Sequence, residues 1–161
     1  MNTIHLMVGI QGSGKSTFSK KLSDGLSIII VSTDEVRKQN PNILEADVWP
    51  TAYKMCADEL QKGKDVIFDA TSITPKVRSR LIDNIKVFNE YFNVGCYFFE
   101  VDPTICKERV AKRNQIVGEL FLPVEVVDNY HERLIKPTID EGFIFVKTID
   151  ENGNIRKEEV K

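Results

Sequence analysis

The chain has 161 residues, 42% of them hydrophobic and 29% charged, and a net charge of −2 at pH 7. That length suits one domain with a full core and is short for two. A charge so balanced excludes a general nucleic-acid coat, so any nucleic acid must meet a local patch.

No run approaches the roughly 20 apolar residues of a membrane span. The N-terminus enters a strand-like segment without a basic n-region or cleavage site, which implies no export signal. Cys56, Cys96 and Cys106 are odd in number and lack CxxC spacing, so the expected setting is a reducing cytoplasm.

In chain order, the strand candidates are TIHLMV (3–8), SIIIVS (27–32), DVIFD (65–69), VGCYFFEV (94–101) and FIFVKTI (143–149). Most are nearly continuous apolar runs, as in strands buried on both faces of a parallel sheet. Helix signals lie between them. One runs from Lys15 to Ser23, and a second from Asp47 to Lys62, stopped by Gly63. A third opens at Thr74-Pro75, a cap followed by proline at the first helical position, and reaches about Tyr91. The same signal at Asp102-Pro103 starts a helix to about Asn114. Pro123 opens another to about Lys136. Such alternation predicts an α/β fold, a doubly wound sheet of five mainly parallel strands with helices on both faces. Residues 1–161 read as a single domain. In the polar tail, about 150–161, Asn152-Gly153 suits a hairpin turn, and a loose end is equally compatible.

Residues 9–17, GIQGSGKST, fit G-x-x-x-x-G-K-[ST] between a strand and a helix. Gly9, Gly12 and Gly14 free the backbone to wrap phosphate oxygens with its N–H groups, Ser13 among them. The helix opening at Lys15, Ser16 and Thr17 presents its positive end. Lys15 can reach the β- and γ-phosphates of a nucleotide, and the Ser16 hydroxyl can ligate Mg2+. The loop therefore predicts a nucleotide site.

Ligands of open parallel sheets sit beyond the carboxyl ends of the strands. Asp69 ends the run Val66-Ile67-Phe68 and suits a metal-directed acid beside Ser16, or else a turn aspartate. In STDEVR (32–37), Ser32 and Glu35 satisfy a capping box, which leaves Asp34 unexplained. Asp34 can serve as general base toward an acceptor hydroxyl, with Arg37 on the same helical face gripping an acceptor phosphate. A capped surface helix is the alternative. Arg109 and Arg113, at i and i+4, precede the segment NQIVGELFL (114–122). They suit a lid, about 109–122, that closes over ATP, or a solvated basic face partnered by Glu108 and Glu119. The apolar lid residues would cover either ligand or a partner subunit.

With GIQGSGKST, STDEVR, VIFDATSITPKVR, YFFEVDPTICKERVAKRN and EGFIFVKTI in view, the chain resembles the kinase domain of phage-type polynucleotide 5′-kinases, within the small P-loop kinases. The resemblance spans Thr3 to about Thr148. It implies a P-loop kinase fold with a helical lid, and ATP and Mg2+ as cofactors. It further implies Lys15 and Ser16 acting on ATP, Asp34 as base, Arg37 on the phosphate beside the acceptor hydroxyl, and Arg113 on the ATP phosphates with Arg109 one turn earlier. The chain departs from the pattern at Ser72, where asparagine is common, and at Thr33, where a basic residue can occur. Its lid is a few residues longer. It also lacks the D-x-D-G-[TS] phosphatase signature.

The leading expectation is ATP-dependent phosphorylation of a 5′-hydroxyl end of RNA or DNA. The alternative is a kinase for a small metabolite such as a nucleoside, sugar or antibiotic, because the same fold serves both. A nucleotide switch ranks below these, since no N-K-x-D motif is present. An AAA+ motor would need a helical second domain for which the length is too short.

Overall fold

A computed structural model describes residues 1–161. Six strands form one sheet: β1 (Thr3–Val8), β2 (Ile30–Ser32), β3 (Val66–Asp69), β4 (Asn93–Phe99), β5 (Phe145–Ile149) and β6 (Ile155–Val160). The helices are α1 (Lys15–Leu26), α2 (Thr33–Gln39), α3 (Glu45–Gln61), α4 (Pro75–Lys86), α5 (Pro103–Arg113) and α6 (Glu125–Arg133). The sheet order is β2-β3-β1-β4-β5-β6, parallel except for the antiparallel pair β5/β6.

Side-chain alternation along the central strand divides the core. Ile4, Leu6 and Val8 face the layer built by α3 and α4, with Phe68, Leu81 and Ile85. Met7 faces the opposite way, toward Phe18 and Leu22 of α1 and Tyr97 and Phe99 of β4. Both faces of β1 are thus covered, which accounts for its unbroken apolar run. A third cluster, with Ile10, Val101, Cys106 and Val127, fixes α5 and α6 against the glycine loop.

The doubly wound expectation holds, with six strands in place of five. The tail forms β6: the Asp150 Oδ1 accepts from the N–H groups of Asn152 and Asn154, both at 2.9 Å, and Gly153 turns at φ 80°. Elsewhere the boundaries shift for local reasons. The second strand begins only at Ile30, because α1 runs on to Leu26 and Ser27 caps it in the left-handed region (φ 56°). The fourth helix stops at Lys86 rather than Tyr91, since the chain must return for Asn93 N to donate to Asn2 O at 2.8 Å. Of the expected lid, residues 109–113 belong to α5 and residues 114–122 are a loop. Asn114 closes that loop by donating to Leu122 O at 2.7 Å and accepting from Leu122 N at 2.9 Å.

Arg78 is the largest side chain with no exposure at all. Its Nε and Nη2 donate to the Glu141 carboxylate at 2.9 and 3.0 Å, its Nη1 to Ser72 O at 2.8 Å, and its Nη2 also to Ile135 O at 3.1 Å. The guanidinium thereby ties the turn after β3, where Ser72 holds φ 46°, to the segment leading into β5. Removing it leaves two carbonyls without a donor and the Glu141 carboxylate with only the Thr138 N–H, at 3.0 Å. Arg78→Met is expected to lower unfolding free energy by about 3–5 kcal/mol in chemical denaturation; a loss under about 1 kcal/mol would contradict this role.

At the opposite sheet edge, Asp65 accepts from Thr3 N at 2.9 Å and Asn2 Nδ2 at 3.1 Å, and lies 3.2 Å from His5 Nε2. Partial burial pushes its carboxyl up, but these donors outweigh burial and hold it below the ordinary 3.8. A depressed acid stabilises above its unfolded value and loses that contribution as pH falls through the folded one. Asp65→Asn should therefore cost about 1 kcal/mol at pH 7, with the gap to wild type closing below about pH 4 in acid titrations of stability.

Candidate active site

The chain leaves β1 toward β2 on one side and leaves the neighbouring β4 toward β5 on the other. A crevice opens at such a switch point, beyond the carboxyl ends of the strands. The loop 9–14 lies in it. Gly12 (φ 77°) passes so close to α5 that a Cβ there would meet Cys106 O at 2.4 Å, and Gly14 (φ 99°) caps α1. Gly9 N donates to Thr71 O at 3.0 Å, fastening the loop to the turn that Arg78 holds.

A cavity of about 640 Å³ occupies the crevice. Of the residues singled out from the sequence, Gly12, Gly14, Lys15, Ser16, Thr17, Asp34, Arg37, Asp69, Arg109 and Arg113 line it. Gly9 lies behind the loop, where a Cβ would press on Phe99, and Ser13 turns toward a smaller cavity.

The floor carries an unusual charge pair. Lys15 is buried at the start of α1, and its Nζ donates to Ile10 O at 3.0 Å. Burial lowers its pKa, while Asp69 and Asp34 oppose the shift. Asp69 is buried at the end of β3 and accepts from Ser16 Oγ at 3.0 Å. Burial raises its pKa, against the pull of Lys15 and the Ser16 hydrogen bond. The positive charge of Arg113 bears on both groups.

Two polar atoms of the loop, Gln11 Oε1 and Ser13 Oγ, are buried without a hydrogen-bond partner. Of these, the Ser13 hydroxyl can donate, and beside a desolvated cation and a helix N-terminus it fits a polyanionic ligand such as a nucleotide triphosphate; the Gln11 oxygen can only accept. Ser16 and Asp69 together present oxygen donors, the ligand type that Mg2+ takes.

On the other wall, α2 is capped by Ser32, whose Oγ accepts from Glu35 N at 3.3 Å. The Glu35 carboxylate faces Lys38 at 3.8 Å, so its acidity has a surface account. Asp34 points into the cavity and accepts from Arg37 Nη1 at 2.9 Å. Sequence reasoning missed the third member of this group. Glu45, the first residue of α3, accepts from Arg37 Nε at 3.2 Å and Nη2 at 2.6 Å.

Arg109 is not part of a solvated face. Its Nη1 donates to Gly12 O at 3.3 Å and its Nη2 to Glu151 O at 2.6 Å. Glu119, an expected partner of the arginines, instead bridges the loop 114–122 to α2 through Lys38 at 3.1 Å. Leu120, Phe121 and Leu122 line the cavity, whereas Val117 is fully exposed.

The smaller cavity, of about 190 Å³, lies between α1, Phe99, Arg109 and the turn Asp150–Gly153, and shares Gly14, Thr17 and Arg109 with the larger one. Asn152-Gly153 reads as a possible hairpin turn, but its place beside the site was missed. It follows the fifth strand, and the rule used for the other four strand ends would have found it.

Several solved structures share this architecture. A gluconokinase from Sinorhizobium meliloti 1021 aligns with a TM-score of 0.60 at 18% identity, over 92% of this chain and 82% of its own. A sugar kinase from Janibacter sp. HTCC2649 gives 0.66 at 17% identity, over 96% and 87%. Kti12 from Chaetomium thermophilum, in complex with ADP-AlF3, gives 0.65 at 17% identity, over 85% and 82%. At such identities the likeness establishes the P-loop kinase fold and nothing finer. The family model described as an AAA domain, AAA_33, matches residues 4–137, from the first strand through the segment that follows α6, and the chain belongs to that family.

Proposed function

We propose that the protein is an ATP-dependent kinase that moves the γ-phosphoryl group of ATP to a hydroxyl of a small metabolite. The observation that carries this reading is one cavity with the buried Lys15/Asp69 pair on one side and the Asp34 carboxylate on the other. The gluconokinase and sugar kinase that share the fold support a small acceptor.

In this reading the triphosphate lies along the glycine loop, and the base enters the smaller cavity beside Phe99 and Asp150–Gly153. Ser16 and Asp69 would hold Mg2+, which when bound would neutralise charge on the transferred phosphoryl group. Asp34 accepts the proton of the acceptor hydroxyl as its oxygen bonds to phosphorus and the bond to the ADP oxygen breaks. Lys15 and Arg113 supply positive charge to the equatorial oxygens. The loop 114–122, with Leu120 and Phe121, covers the site and excludes water. Catalysis is then mostly positioning and charge stabilisation.

Phosphorylation of a polynucleotide 5′-hydroxyl is the second reading. The Asp34/Arg37 pairing at 2.9 Å favours it, in keeping with the resemblance of STDEVR. Against it, the fork of Arg37 is already occupied by Glu45, and Lys38 is paired with Glu35 and Glu119. No unpaired cation on α2 is left for a phosphodiester.

The test is transfer from γ-labelled ATP to pools of sugars, sugar acids, nucleosides and 5′-hydroxyl oligonucleotides. The expected result is label on a small acceptor, with a rate that changes little between low and moderate salt. Label on oligonucleotides alone, lost steeply as salt rises, would establish the second reading. Asp34→Asn is expected to cut transfer by about 10²–10⁴-fold while ATP affinity, measured by calorimetry, stays within about twofold; equal loss of both would remove Asp34 from the role of base. Lys15→Ala is expected to weaken ATP binding and abolish transfer together, and unchanged affinity would contradict its place on the phosphates.

A further inference from the structure

Arginine takes carboxylates and phosphates by the fork of Nε and one Nη. In Arg37 that fork is filled from within the chain. Glu45 Oε1 sits 3.2 Å from Nε and 2.6 Å from Nη2, Oε2 lies 3.2 Å from Nε, and the remaining Nη1 donates to Asp34. Glu45 reaches across from a different helix, and its carboxylate stands at the N-terminus of α3, where the helix dipole also favours it.

Two carboxylates therefore face one guanidinium at the acceptor side of the cavity, which leaves that side negative. An anion arriving there would have to displace a tethered carboxylate held at high effective concentration. It would also meet the charge of Asp34. A hydroxyl compound that is neutral, or cationic, meets neither obstacle.

We propose that Glu45 is a specificity-determining residue: seated on the Arg37 fork, it restricts the acceptor to hydroxyl compounds bearing no phosphate or carboxylate near the reacting hydroxyl. This rests on the kinase reading above and names its substrate class. Glu45 touches no reacting atom. Its side chain is 72% exposed, so Glu45→Gln should fold normally while it relaxes the hold on the fork.

The test uses the whole protein saturated with Mg2+ and AMPPNP, so that the phosphate positions of the loop are filled. Inorganic phosphate is titrated in while the Arg37 Nε–H resonance is followed by ¹⁵N NMR, assigned with Arg37→Lys. Wild type is expected to show weak phosphate binding at this fork. Glu45→Gln should bind phosphate at least about tenfold more tightly, and Glu45→Gln with Arg37→Lys, which has no guanidinium signal and is followed through the backbone amide resonances of α2, should lose the gain. Equal binding by wild type and Glu45→Gln, or no binding by either, would overturn the proposal. The Arg37 resonance reports on the fork whether or not nucleotide is bound. Failure to bind AMPPNP would therefore reject the kinase reading separately, while the phosphate titration still decides the role of Glu45.

Discussion

A lysine and an aspartate are withdrawn from water together where β1 and β3 end, and the rest of the site is arranged around them. Neither Lys15 nor Asp69 is comfortable as an ion there, since burial moves the pKa of each toward its neutral form. Each is tolerated because the other lies near, with Ser16 and Ile10 O as hydrogen-bond partners. Such a pair is a poor way to stabilise a fold and a good way to prepare for a ligand that brings both anion and cation. The strand order brings them to one end of the sheet: β3 and β1 are neighbours in register, with Met7 opposite Asp69, and Lys15 opens the helix that follows β1.

The scaffold that holds this pair extends well behind it. Gly9 N bonds to Thr71 O, and the turn containing Thr71 and Ser72 is fixed in turn by Arg78, which is locked by Glu141. On the far side, Arg109 joins the glycine loop to the turn after β5. The phosphate loop is thus braced from β3 and from β5 by two arginines on different helices. Bracing of this kind suits phosphoryl transfer, in which positioning supplies most of the rate.

How much of this was legible in the sequence differs by residue. The glycine loop was, because its pattern carries its own context, a strand before and a helix after. Asp69 and Asp34 followed from the rule that strand ends gather at one edge. Glu45 was not, because its meeting with Arg37 depends on the turn between α2 and α3, where Asn40 Nδ2 donates to Val36 O at 2.9 Å and Ile43 N to Asn40 O at 2.9 Å. No periodicity encodes that turn. Arg78 reads as one more exposed arginine in a polar helix and is buried only because Glu141 arrives 63 residues later. The tail was ambiguous between a hairpin and a loose end because β6 pairs with β5 alone at the open edge of the sheet. A helical lid followed from the family resemblance and from no pattern in residues 114–122, and Asn114 closes those residues into a loop.

The central claim is that one crevice holds both the phosphates and the hydroxyl that receives one of them. A crystal structure with Mg2+ and AMPPNP tests it most directly. The account predicts the triphosphate along residues 9–16, the terminal phosphate between Lys15 and Asp34, and the base between Phe99 and Asp150–Gly153. A nucleotide bound elsewhere, or a terminal phosphate turned away from Asp34, would contradict it.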